Sequence, residues 1–298
     1  MVTSALPGCE PPATSRRQLL GINLGRKRLH HGFMGNDEWM RAQPTVEAAT
    51  PPPDTLSAER RADGYRRTTS FRSRRSALSA AQQRTWERLW PKLGIVATPQ
   101  GADGPGEPLD TRDWFGRDAP LVLEIGCGTG TSTLAMAQSE PDVDVIAVEV
   151  YRRGLAQLLS AIDRDNVTNI RLIRGDAVDV LKHLIAPGSL SGVRVFFPDP
   201  WPKARHNKRR LLQPAMVALI ADRLRPGGVL HAATDHAGYA EQIAEVGDAE
   251  PRLSRLNPLK RPAISVVRPT TKYENKAQHA GSAVTELVWE SRPERNRP

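Results

Sequence analysis

The residues best suited to chemistry fall into three groups. Gly126, Gly128 and Gly130 form a G-x-G-x-G turn, with Glu124 two positions before the first glycine. Such a turn lets a ligand approach the backbone closely and aims free N–H groups at it. Glu149 and Asp176 come further along, and Glu149 stands where a carboxylate commonly accepts hydrogen bonds from ribose hydroxyls. Asp176 could accept from an adenine amino group, or simply cap the helix that begins at residue 177. The third group is Phe197-Pro198-Asp199-Pro200-Trp201-Pro202-Lys203, where three prolines stiffen a loop that points the Asp199 acceptor toward the same ligand. A carboxylate beside the glycines would repel a pyrophosphate and welcome a cation. The ligand that fits is S-adenosylmethionine, which carries a sulfonium, an ammonium and a carboxylate but no phosphate.

Directly after that loop, Lys203, Arg205, His206, Lys208, Arg209 and Arg210 make a stretch with five Lys/Arg and no acid, which is either a solvated face or, beside a rigid acidic loop, a grip for phosphates. His206 has no second His or Cys at ligand spacing, so no metal site is expected. Cys127 reads as a small packed side chain. Trp201 could stack on a base or anchor the proline loop.

These residues need a scaffold that brings distant turns to one edge. Strands are expected at 121–125, 143–149, 169–174, 193–197 and 227–233, with further extended runs near 263–267 and 283–290. Helices are expected at about 79–92, 131–138, 151–164, 177–185, 211–224 and 236–246. Alternating strands and helices imply a parallel sheet covered on both faces. The predicted fold is α/β: a doubly wound, Rossmann-like, mostly parallel sheet of seven strands, with its ligand beyond the carboxyl ends of the strands.

The chain has 298 residues, 42 Lys+Arg against 33 Asp+Glu, and a net charge of +9, a balance that favours a polyanionic partner. No run of about 18 apolar residues is present, which excludes a membrane-spanning helix. Two cysteines, Cys9 and Cys127, exclude a disulfide scaffold, and a cytoplasmic location is expected. Residues 1–75 carry thirteen basic and seven acidic residues, are rich in proline, and show no apolar period. They are expected to be a disordered basic extension, and residues 76–298 the catalytic domain. The arginine pair Arg16-Arg17 resembles the start of an export signal, but the stretch from Gly21 to Arg28 is too short and too charged for an apolar core.

The sequence resembles the tRNA (guanine-N7)-methyltransferase family. The resemblance is carried by Leu123 to Gly130, Phe197 to Lys203, Arg205-His206, Lys208-Arg209-Arg210, Ala233-Thr234-Asp235 and Thr271-Lys272-Tyr273-Glu274, in that order across about 120–290. A weaker echo lies at Phe71-Arg72-Ser73-Arg74-Arg75 and Gln82-Gln83. The resemblance implies transfer of a methyl group from S-adenosylmethionine to N7 of a guanosine in the variable loop of tRNA. It implies that Glu124, Glu149, Asp176 and Asp199 line the cofactor site with Gly126, Gly128 and Gly130, and that Asp199 is the active-site acid. It also implies that Lys203, Asp235, Thr271, Lys272, Tyr273 and Glu274 contact the guanosine. Tyr273 stands where Phe is common, and Lys276 where Arg is frequent. The expected partner is tRNA, without DNA, membrane or metal, and the protein a monomer or homodimer. Two rival readings are an amino-group RNA or DNA methyltransferase and a non-catalytic RNA-binding protein with a vestigial pocket.

Overall fold

A computed structural model describes residues 77–97, 107–257, 259, 262–269 and 283–293. The chain enters as helix α1 (Ala80–Leu93), which starts with a reciprocal cap: Ser79 Oγ accepts from Gln82 N, and Gln82 Oε1 accepts from Ser79 N. Then come β1 (Gly94–Val96), α2 (Thr111–Phe115), β2 (Leu121–Ile125), α3 (Thr131–Ser139), β3 (Asp144–Glu149), α4 (Arg152–Asp165), β4 (Ile170–Arg174) and α5 (Ala177–His183). After β5 (Leu190–Phe196), a 3₁₀ segment (Ala204–Arg209) leads into α6 (Pro214–Arg223), β6 (Leu224–Thr234), α7 (Ala237–Ala249), β7 (Leu253–Arg255) and β8 (Thr285–Ser291).

Among the described residues the strands form one sheet in the order β1-β4-β3-β2-β5-β6-β8-β7. Pairings from β1 to β6 are parallel, and β8 runs antiparallel to both β6 and β7. β2 and β3 are buried along their whole length. That explains why their sequences read as apolar runs rather than as alternations.

The sheet has eight strands, not the expected seven. The additional one, β1, is a three-residue edge strand directly behind α1, too short to register as a period. The extended run expected at 263–267 is not a strand. Ile264 instead plugs the core on one face of the sheet, and Ser265 N donates to Glu140 Oε1 at 2.7 Å. The strand in that region is β7, at 253–255.

Two apolar clusters sandwich the sheet. Leu123, Ile146, Val193 and Leu230 meet α5, α6 and α7 on one face. Val122, Val145, Ala147 and Val229 meet α1, α3, α4 and Ile264 on the other. Chain direction across the sheet reverses between β2 and β5, since β3 and β4 extend to one side and β5 and β6 to the other. That switch point is where an open parallel sheet leaves a crevice beyond its carboxyl ends.

Candidate active site

A cavity of about 260 Å³ occupies this switch point. Its wall takes Ile125 and Gly126 from the end of β2, Val148 to Tyr151 from β3, and Gly175 to Ala177 after β4. Phe196 to Asp199 and Trp201 come from the end of β5, and Arg209 and Leu211 close it. Of the residues expected at the cofactor, Gly126, Glu149, Asp176 and Asp199 therefore meet in one space.

The glycine turn has a left-handed backbone, with φ of +76° at Gly126 and +57° at Gly128. An added Cβ at either position would meet nothing within 4 Å, so open space lies above both. Helix α4 rests directly on the turn: a Cβ at Gly154 would collide with Gly128 O. Gly130 is the N-cap of α3, packed over Leu158, and does not line the cavity.

Glu149 organises the turn. Its Oε2 accepts from Gly128 N at 3.0 Å, and its Oε1 accepts from Val150 N at 2.7 Å and Tyr151 N at 3.0 Å. A carboxylate has about four lone-pair sites, so one remains for a ligand hydroxyl. Burial raises its pKa, the three backbone donors oppose this, and the Asp199 charge adds to the rise. Asp176 caps α5 through Oδ1, which accepts from Val178 N at 2.9 Å, and still lines the cavity. Both functions expected of it are thus geometrically compatible.

Glu124 lies beneath the turn rather than in the cavity wall. It is 3% exposed, and its Oε2 has no hydrogen-bond partner. Burial pushes its carboxyl up to about 7, against the nearby Arg194 charge and the neighbouring Thr133 hydroxyl. Arg194 is its register partner on β5, wholly buried and bound to Glu140 Oε2 at 2.6 Å. Sequence reading missed this support, although a charge in the middle of an apolar strand was its signal.

The proline loop is strained. Phe197 and Trp201 have φ of +50° and +45°, a region that non-glycine residues rarely enter. Asp199, between them, is exposed. Trp201 holds the loop to the basic stretch: Arg209 Cζ sits 5.0 Å over its ring, and the His206 ring meets it edge-on at 5.8 Å. His206 titrates below its ordinary value because of burial and the surrounding Arg209, Arg205, Lys203 and Lys208 charges.

Lys203, Arg205 and Lys208 are exposed, whereas Arg209 borders the cavity. Arg210, expected among the phosphate-contacting residues, turns inward instead. It is 5% exposed and donates to Pro200 O at 2.8 Å, Gly238 O at 2.9 Å and Gln242 Oε1 at 2.7 Å. It pins the loop to α7. Asp235 is exposed just past β6 and outside the cavity wall. Thr271, Lys272, Tyr273 and Glu274 lie outside the described residues.

A doubly wound, mostly parallel sheet with Glu149, Asp176, Asp199 and the left-handed Gly126 around a cavity at its switch point places the chain in the Rossmann-like class. The family profile described as "Putative methyltransferase" matches residues 118–287. A tRNA (guanine-N(7)-)-methyltransferase of Mycobacterium avium (strain 104) is 67% identical over 257 residues, covering 86% of this chain and 99% of its own length. One of Mycobacterium tuberculosis (strain ATCC 25618 / H37Rv) is 66% identical over 264 residues, covering 88% and 95%. Among solved structures, the 16S rRNA methyltransferase KamB overlaps 64% of this chain and 97% of its own at 16% identity and a TM-score of 0.42. The chain belongs to the tRNA (guanine-N7)-methyltransferase family.

Proposed function

We propose that the protein transfers a methyl group from S-adenosylmethionine to N7 of a guanosine in tRNA, forming 7-methylguanosine. The observation that carries the reading is the meeting, in one cavity, of Glu149, Asp176 and Gly126 of the glycine turn with the proline loop bearing Asp199. It occurs in a chain two-thirds identical to enzymes of that name. When bound, the cofactor supplies an electrophilic methyl on a sulfonium. Glu149 would accept from its ribose hydroxyls, Asp176 from its adenine, and the carboxylates together suit its positive charge.

Guanine N7 has a lone pair and no proton, so no general base is needed. Catalysis then rests on positioning and fixed charge. Asp199 would hold the guanine or stabilise the cationic charge that moves onto the purine. N7 lies in the deep major groove of A-form RNA, out of reach of side chains. The target guanosine must therefore sit in an irregular region, for which the variable loop is our choice, and splaying it out costs a few kcal/mol. Lys203, Arg205, Lys208 and Arg209 would hold neighbouring phosphates, with Asp235 and Thr271 to Glu274 on the guanosine. Residues 1–75 are read as a further basic arm, and the cytoplasm as the place of action.

The decisive experiment incubates the full chain with unmodified tRNA and labelled methyl donor, then maps the product base. Label in 7-methylguanosine is expected. Label in an amino-methylated base, or none despite tight tRNA binding, would overturn the reading.

A further inference from the structure

A second group of arginines stands at the opposite lip of the cavity from the Lys203–Arg209 stretch. β4 ends at Arg174, the register partner of Glu149 at the end of β3. Gly175 and Asp176 after the one strand, and Val150 and Tyr151 after the other, line the cavity. Arg174 and Arg152 therefore sit one residue outside its wall. Arg152 is held in place: its Nη2 donates to Gln83 Oε1 at 3.2 Å, and its Cζ lies 4.8 Å over the Trp86 ring. Trp86 is in turn stacked on Trp90 at 4.0 Å. Arg174 Nε is buried without a hydrogen-bond partner, and Arg153 is exposed.

Arg117 and Arg194, by contrast, have paired counter-ions in Asp144 and Glu140. Among the described residues none of Arg152, Arg153 and Arg174 forms an ion pair. Arg152 is easier to deprotonate than an ordinary arginine, first because of burial and next because of the Arg174 charge, with only Glu87 opposing. Holding like charges together without a paired counter-ion costs folding energy, and an anion relieves it.

Arg174 ends β4 and Arg152 and Arg153 follow β3, three and two strand spacings from β5 in the order β4-β3-β2-β5. That is about 10–14 Å. A small anion cannot span this distance, whereas a polyanion can. We propose that Arg152, Arg153 and Arg174 form a second phosphate-binding site for the RNA backbone, so that the bound strand crosses the cavity mouth and is gripped on both sides of the target base. The assignment rests on the tRNA reading above.

The test compares R152Q/R174Q with the charge-conserving R152K/R174K in the full chain. tRNA affinity is measured across a salt series, methyl-donor affinity by calorimetry, and stability by thermal unfolding. The glutamine variant should bind tRNA about tenfold more weakly near physiological salt, since a charge-assisted contact is worth roughly that factor. Its plot of log affinity against log salt should flatten by roughly 0.7–0.9 for each arginine removed. Donor affinity should not move, and the lysine variant should keep the wild-type slope. Should the double variant lose stability, R174Q alone, whose side chain has no ion-pair or hydrogen-bond partner in the described structure, must show the same sign. An unchanged salt slope overturns the site, as does donor affinity falling in step with tRNA affinity. Wild-type protein that leaves tRNA unmethylated sinks the activity reading, and this site is then still judged by the variants' salt slopes.

Discussion

Glu124 offers the sharpest test of the site's electrostatics. Its carboxyl is held at about 7, against an ordinary value of 4.5, chiefly by burial. Because the folded chain holds this proton more tightly than the unfolded chain, stability is greatest below the unfolded value and falls as pH rises toward the folded one. Each pH unit separating the two values is worth about 1.4 kcal/mol. Between pH 5 and pH 8 the wild type should lose roughly 2.5 kcal/mol through this one group. Glu124→Gln has nearly the shape of the protonated acid and does not titrate. Urea denaturation of both proteins at several pH values should therefore give a stability difference that shifts in favour of the variant by roughly 2.5 kcal/mol from pH 5 to pH 8. All other groups titrate alike in the two proteins and cancel. Parallel curves over that range would mean that the carboxyl is ionised well below 7, and the buried, unpartnered Oε2 would then need another explanation.

Three further outcomes rest on the same geometry. Glu149→Ala removes the acceptor of the Gly128, Val150 and Tyr151 N–H groups and with it the lone pair proposed for the donor's ribose hydroxyls, so methyl-donor affinity by calorimetry should fall at least about tenfold, a hydrogen bond to a charged group being worth about 1.5–3 kcal/mol; unchanged affinity counts against the cofactor assignment. Asp199→Asn alters an exposed side chain, so thermal unfolding should not change while the single-turnover methyl-transfer rate drops at least about tenfold, the loss expected when one transition-state charge contact is removed; a full rate would remove Asp199 from the chemistry. Lys208→Ala and Arg210→Met should separate cleanly: the exposed lysine affects the salt slope of tRNA binding by roughly 0.7–0.9 without altering stability, and the buried arginine lowers stability by about 2–4 kcal/mol through three lost hydrogen bonds.

The fold was legible because its central strands are buried on both faces and so announce themselves as apolar runs between helical periods. The glycine turn and the acids at strand ends were legible for the same reason, since each sits where a run stops. What the sequence concealed was orientation. Lys208, Arg209 and Arg210 are consecutive and of like charge, yet one faces solvent, one borders the cavity and one is buried against Gly238 and Gln242. No period distinguishes them at the end of a 3₁₀ segment that stops at Arg209. The run at 263–267 misled because alternating apolar residues also suit a segment fixed to a sheet face by its side chains. The strain at Phe197 and Trp201 had no signature at all, since both are ordinary strand residues by type.

That fixed segment bears on how the site is assembled. Arg268 lies three residues before Thr271 in the sequence. Its guanidinium pairs with Glu286 at 3.0 Å and stacks 5.0 Å over the Phe197 ring, at the left-handed residue where the Asp199 loop begins. Glu286 also meets the buried His231 at 2.9 Å, and the Phe196 ring meets His231 edge-on at 4.9 Å. Four residues earlier Ile264 is in the core, and Ser265 is tied to Glu140, the partner of Arg194 beneath the glycine turn. One stretch of chain thus braces the residues around the glycine turn and the strained backbone of the acidic loop. A strained φ persists only where its surroundings over-determine it, and here the bracing comes from the segment that leads into the expected guanosine-contacting motif. A reaction that needs no proton acceptor depends chiefly on positioning, and under the proposed function the pairs of buried Arg194 with Glu140 and buried His231 with Glu286 would serve it.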